Sequence, residues 1–144
     1  MGTRSLTVVQ NDAGDEIITM YRQMDGYPTG HGADLLEWGV GGQVVNGIGC
    51  DTPAKAYNGM ECLAAQLVAA FKDGIGGTYL HPSGSRDVGE EYRYEISADA
   101  ETNALVLKVI DVGYEYDGKV VEAIVLYEGL LDEFDPEAAE QVAA

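Results

Sequence analysis

The residues from Met24 to Gly32 form the stretch of this sequence that is richest in groups able to do chemistry. A histidine in that stretch titrates near neutral pH, an aspartate can orient the imidazole ring, and the preceding arginine suits phosphate or carboxylate. A glycine-rich turn that leads into a helix also exposes main-chain N–H groups that suit an anion. We therefore predict a ligand-binding loop built from Arg22, Asp25, Tyr27, Gly30, His31 and Gly32.

The same loop has a purely structural interpretation. Its glycines can serve a tight connection that needs positive φ angles. The stretch has neither the Gly-Lys-Ser/Thr of a phosphate-binding P-loop nor the dinucleotide-binding glycine pattern. Sequence alone therefore leaves a binding site and a structural turn as alternatives.

Catalytic chemistry finds little support in the remaining side chains. The two histidines, His31 and His81, have no recognisable nucleophile with them, and Ser83 lacks the flanking glycines of a hydrolase nucleophile elbow. Cys50 and Cys62 are twelve residues apart and do not make a zinc site. We predict no catalytic residue, no cofactor and no metal site, and keep a small hydrolase that uses His31 as a third functional alternative.

Charge limits the classes of partner. The chain has 25 Asp and Glu against 8 Lys and Arg, for a net charge of -17. Such a surface argues against direct binding to nucleic acid or to anionic membranes. The acidity has three candidate explanations, which are solubility, adaptation to high salt, and mimicry of nucleic acid. Several of the acids fall in the tail, at Asp132, Glu133, Asp135, Glu137 and Glu140.

No segment resembles a membrane anchor or a signal peptide. No apolar run approaches the length of a membrane span, and the first residues lack the basic start and apolar core of a secretion signal. We therefore predict a cytoplasmic protein, located in the host cytoplasm if the gene is viral.

The first half of the chain predicts a hairpin followed by helices. Residues 5–10 and 17–23 are rich in β-branched side chains and flank a polar turn. The spacing of Leu63, Leu67 and Phe71 predicts an amphipathic helix over 60–72 that is buried through these three residues. A shorter helix is predicted over 33–38, and Asp51 or Thr52 before Pro53 indicates a further helix start.

The second half is rich in strands. Strands are predicted over 78–81, 92–97, 105–111 and 120–127, with a hairpin turn at Asp117-Gly118. Asp135-Pro136 indicates the start of a helix in the tail. The fold class is therefore α+β: an antiparallel sheet of about five to six strands packed against two main helices, with a C-terminal helical tail. We expect one domain over residues 1–144, with the acidic tail beginning at about residue 130.

Several segments resemble a family of small, uncharacterised proteins from phage, prophage and microbial genomes. The resemblance covers roughly the first 80 residues and is most specific at Asp25–Gly32, which has the pattern Asp-Gly-Tyr-Pro-x-Gly-His-Gly. Further matching segments are 1–7, 20–24, 46–49, 58–60, 62–67 and 76–80. The family has no established activity, so the resemblance implies no catalytic residue.

These observations favour a non-catalytic binding protein, of the kind that serves a phage as an accessory or anti-defence factor. Its partner would be a small anionic or nucleotide-like ligand, or a host protein, bound through the loop 25–32. The alternative is an acidic inhibitor that mimics nucleic acid and blocks a basic host protein.

Overall fold

A computed structural model describes residues 2–143, and a six-stranded sheet forms its centre. The ten strands, in chain order, are β1 (Ser5–Gln10), β2 (Glu16–Arg22), β3 (Gln43–Val45), β4 (Ala56–Asn58), β5 (Thr78–His81), β6 (Tyr92–Ala98), β7 (Leu105–Asp111), β8 (Tyr114–Tyr116), β9 (Lys119–Val121) and β10 (Ile124–Leu130). The central sheet has the order β10-β7-β6-β1-β2-β5. Two smaller sheets are formed by β3 with β4 and by β8 with β9.

The central sheet is antiparallel except at one pair. Strand β1 runs antiparallel to β2 and parallel to β6, so that Thr7 lies between Met20 and Tyr94. The predicted N-terminal hairpin is the β1–β2 pair, and the predicted α+β class with a largely antiparallel sheet is confirmed.

Three α-helices accompany the sheet: α1 (Ala33–Gly39), α2 (Met60–Phe71) and α3 (Pro136–Ala143). A π-helical turn over Pro28–Gly32 leads directly into α1, and a short 3-10 turn over Leu131–Glu133 precedes α3. The tail helix therefore begins where Asp135-Pro136 predicts it.

Helix α2 packs on the sheet through Met60, Leu63, Ala64 and Leu67, which are all buried. The predicted face is correct at Leu63 and Leu67. It is wrong at Phe71, which is only half-buried because it is the last residue of the helix, where the chain turns to extended backbone at Lys72.

Two other predicted elements differ from the structure. No helix starts at Pro53, because Thr52 closes a tight turn instead: its N–H donates to the Gly49 carbonyl and its hydroxyl accepts from the Gly49 N–H. The predicted strand 120–127 is two strands, since β9 pairs with β8 whereas β10 pairs with β7.

Because side chains alternate along a β-strand, the residues of β1 point to the two opposite faces of the sheet. Thr7 faces the helices, whereas Leu6 and Val8 point to the opposite face and are fully buried there. The loop between β5 and β6 lies on that second face, held by hydrogen bonds from Ser83, Gly84 and Arg86 to Glu16 of β2. The sheet is therefore covered on both sides. The side chain of Thr7 is fully buried on the side that faces the helices.

Candidate functional site

His31 is the best-enclosed polar side chain of the predicted loop. Its ring is fully buried, and Nε2 lies 2.6 Å from the hydroxyl oxygen of Thr7. The ring packs edge-on against Phe71 at 5.2 Å and against Tyr94 at 5.0 Å between centroids. The π-helical turn thus presents its histidine to the helix-facing side of the sheet rather than to solvent.

Arg22 connects this buried ring to the surface. Its Nη1 lies 3.0 Å from Nδ1 of His31 and 2.7 Å from Oδ2 of Asp34, and its Nε donates to the Met24 carbonyl at 2.7 Å. Because a guanidinium group can only donate, Nδ1 of His31 must accept. The ring proton is therefore assigned to Nε2, where it is donated to the Thr7 hydroxyl.

The environment keeps the imidazole neutral. Burial lowers the pKa of His31 to about 3, and the positive charge of Arg22 acts in the same direction. A general base must reach a proton of its substrate. An enclosed ring whose two nitrogens are already engaged does not meet that requirement.

The N–H groups of the loop also have internal partners. His31 donates its N–H to the Asp25 carbonyl at 2.7 Å, and Gly30 donates to the Tyr27 carbonyl at 2.9 Å. Both the N–H and the hydroxyl of Thr29 bind the carboxylate of Glu140 in α3. The negative group that a glycine-rich turn favours is thus supplied by the protein's own tail helix.

The other predicted loop residues have supporting positions. The Asp25 carboxylate accepts a hydrogen bond from the Tyr27 hydroxyl at 3.3 Å, and its negative charge is the main cause of the raised pKa of Tyr27. The prediction that Asp25 orients the imidazole is wrong, because Thr7 and Arg22 engage the two ring nitrogens and the Asp25 carbonyl bonds only the main-chain N–H of His31. Neither Gly30 nor Gly32 has a positive φ, in contrast to Asp25 at 60°.

Close approach explains why the loop needs its glycines. A Cβ on Gly30 would lie 2.3 Å from the Asp25 carbonyl oxygen, and one on Gly32 would lie 3.1 Å from the Phe134 ring. The Tyr94 hydroxyl also donates to the Gly26 carbonyl at 2.7 Å, which ties the loop to β6. The structural interpretation of the glycines therefore holds, with close approach as its cause instead of positive φ.

A groove of about 690 Å³ lies beside this network, between α1, the end of α2 and the segment leading into β5. Trp38 and Phe71 form its aromatic wall, with ring centroids 6.3 Å apart and an interplanar angle of 77°. Of the predicted site residues, only Arg22 lines it. Sequence reasoning missed Trp38, although the sole tryptophan of the chain, four residues after Asp34 on the helix that follows the loop, was an available signal.

The charged side chains of the groove differ in how they are engaged. Lys55 donates to the carbonyls of Glu37 and Val40, at the end of α1. Within residues 2–143, Nη2 of Arg22 has no hydrogen-bond acceptor, and no cation pairs with the carboxylates of Glu37 and Asp73. The rim of the groove, formed by Arg22, Glu37 and Asp73, therefore offers both free donors and free acceptors.

No family model, curated protein or solved structure matches this chain. In the described part of the chain, residues 2–143, no three His, Cys, Asp or Glu side chains are grouped as a metal site would require. None of the helices in those residues is long and apolar enough to cross a membrane.

Proposed function

We propose that the protein is a non-catalytic binding protein that holds a small planar ligand in the groove beside α1. The observation that supports this proposal most directly is the aromatic wall of Trp38 and Phe71 next to the free Nη2 donors of Arg22. Ligand pockets typically combine apolar and aromatic walls with a few fixed polar groups, in volumes of roughly 300–1,000 Å³. The groove has this composition and lies within that range.

The predicted loop has a supporting role in this proposal. Three hydrogen bonds, to Met24, His31 and Asp34, hold the guanidinium of Arg22 before any ligand arrives. A donor that is already fixed loses little freedom on binding, which favours affinity. The loop 25–32 therefore acts through Arg22 and His31 rather than by touching the ligand with its own N–H groups.

Two alternatives have weaker support. A hydrolase using His31 would need the ring to reach a substrate, and the ring is fully buried. An acidic inhibitor would act through its tail carboxylates, and three of the five already accept hydrogen bonds within the fold: Asp132 from the Gly41 N–H, Asp135 from the first N–H groups of α3, and Glu140 from Thr29. These acids have structural partners.

We further propose a phage or prophage setting, which is supported by the sequence resemblance at Asp25–Gly32. We place the binding event in the cytoplasm, within an infected host if the gene is viral, as part of an accessory or anti-defence role. The phage setting is tested by the neighbourhood of the gene, which should contain other phage genes.

The binding proposal is tested with the indole N–H signal of Trp38, which is unique because the chain has one tryptophan. Adenosine, inosine, benzoate, benzamidine and indole are titrated separately while proton–nitrogen correlation spectra are recorded. At least one compound should shift the Trp38 signal saturably at sub-millimolar to millimolar concentration.

A pair of neighbouring alanines provides the control. Ala70 and Ala69 are both exposed on α2, but only Ala70 lines the groove. Ala70→Leu should weaken binding by about tenfold or more, which corresponds to about 1.4 kcal/mol, whereas Ala69→Leu should leave it unchanged. Absence of any saturable shift, or equal loss in both variants, would overturn the proposal.

A further inference from the structure

We infer that the ligand of the groove is an uncharged purine base or nucleoside, and that the groove discriminates against the corresponding phosphates. This inference rests on the proposed function and adds the chemical class of the ligand. It combines the hydrogen-bonding groups of the rim, the geometry of the aromatic wall, and the local charge.

The rim matches a ligand that has both donors and acceptors. Nη2 of Arg22 provides N–H donors, while the carboxylates of Glu37 and Asp73 are acceptors without a cationic partner in residues 2–143. The edge of a purine base has ring nitrogens or a carbonyl to accept and N–H groups to donate. A simple carboxylate or phosphate would use only Arg22 and would leave the acidic side of the rim unmatched.

The aromatic wall favours a flat ring. Trp38 and Phe71 are close to perpendicular, at 77°, with centroids 6.3 Å apart. A planar ligand stacked on one of these rings would lie nearly perpendicular to the other, and both stacked and edge-to-face arrangements are favourable for aromatic pairs. Base stacking on an aromatic side chain stabilises a complex and does not require the ligand to be charged.

The electrostatics disfavour an added phosphate. Asp34 neutralises Arg22 at 2.7 Å, and the ammonium group of Lys55 is held by main-chain carbonyls. Lys55 keeps its positive charge, so the lining has two cationic side chains (Arg22 and Lys55) against three anionic ones (Asp34, Glu37 and Asp73) and carries a formal charge of -1, in a chain of net charge -17. Like charges brought together at a binding site cost affinity, so the phosphate of a nucleotide would be repelled.

The test compares adenosine and inosine with their 5′-monophosphates, again through the Trp38 indole signal. At about 0.02 M salt each monophosphate should bind about tenfold or more weakly than its nucleoside, and the gap should narrow at about 0.5 M salt as screening increases. The double variant Glu37→Gln/Asp73→Asn should reduce the difference in affinity between nucleoside and monophosphate at low salt. Glu61→Gln, which removes an exposed carboxylate outside the groove, should not.

The outcomes distinguish failure of this inference from failure of the proposed function. The inference would be overturned if the monophosphates bound as tightly as the nucleosides, or if the double variant left the difference in affinity unchanged. In either case the groove would remain a binding site. The same holds if benzoate, benzamidine or indole binds while neither nucleoside does. If none of the compounds shifts Trp38, both the inference and the proposed function fail.

Discussion

Arg22 and His31 share a hydrogen bond that reinforces the neutral state imposed on the ring by its burial. Nη1 of Arg22 lies 3.0 Å from Nδ1 of His31, and the same nitrogen lies 2.7 Å from the carboxylate of Asp34. The permanent charge is thus placed on the partly exposed arginine, where an aspartate compensates it. The imidazole stays neutral, which allows it to be enclosed among Thr7, Phe71 and Tyr94.

The first prediction concerns pH. The pKa of His31 is about 3 in the folded protein, against 6.5 for an ordinary histidine, so between these values the unfolded chain binds a proton that the folded chain does not. The free energy of unfolding should be fully retained above pH 6.5 and fall as pH decreases, by up to about 1.4 kcal/mol per pH unit. Urea titrations between pH 7.5 and 5 measure this slope.

The two histidines provide the comparison for that experiment. His31→Gln should flatten the slope, and His81→Gln, at the half-buried end of β5, should retain it. Equal slopes in the two variants would show that another group governs the pH dependence.

The second prediction concerns the loop glycines. Gly30→Ala should destabilise the fold by about 2–3 kcal/mol, because the new methyl group would collide with the main-chain oxygen of Asp25. Gly32→Ala should cost less, since its neighbour is the ring of Phe134, which can shift. Gly49→Ala meets nothing within 4 Å and should change stability by no more than about 0.5 kcal/mol. Denaturant melts that ranked Gly49→Ala equal to Gly30→Ala would contradict the close-approach explanation.

The third prediction separates the core from the groove on α2. Leu67 is fully buried, so Leu67→Ala should cost about 2–5 kcal/mol. Phe71 is half-buried at the groove, so Phe71→Ala should destabilise less, while removing half of the aromatic wall and with it the Trp38 response to ligand. The measurement is a chemical denaturation series together with the ligand titration. A larger loss of stability for Phe71→Ala than for Leu67→Ala would contradict the assignment of Leu67 to the core and of Phe71 to the groove.

The fourth prediction concerns salt. Three carboxylates, those of Glu16, Asp34 and Glu95, pair with arginines in residues 2–143, so most of the 25 acids lack a cation at close range. Self-repulsion should therefore lower stability at low ionic strength. The melting temperature should rise from about 0.01 to 0.5 M NaCl as the Debye length shrinks. A flat or falling melting temperature in calorimetry would contradict this account.

Local patterns predicted those elements whose determinants are close in sequence. The β-branched runs around the polar turn gave the β1–β2 hairpin, and the spacing of Leu63 and Leu67 gave α2. The burial of His31 was not predictable in this way, because it depends on Thr7, Arg22 and Tyr94 meeting across three strands. The same holds for Glu140, which reaches Thr29 from 111 residues further along the chain.

The groove was missed for a related reason. Its aromatic wall joins Trp38 to Phe71 across two helices, and no spacing rule connects the two positions. The helix expected at Pro53 was wrong because the capping pattern of Asp51 and Thr52 also suits a tight turn, and the hydrogen bonds between Gly49 and Thr52 stabilise that turn instead.

The parallel pairing of β1 with β6 has a consequence for synthesis of the chain. Ser5 is aligned with Tyr92, so a nascent chain emerging from the ribosome cannot complete the middle of the sheet until β6 has been made. A fragment ending at residue 81 would have the β1–β2 hairpin and α2 but would leave one edge of β1 open and lack Tyr94, Leu107 and Val109 from the core. We therefore expect that the first 80 residues do not fold on their own, and that truncated expression at that boundary yields aggregation-prone material.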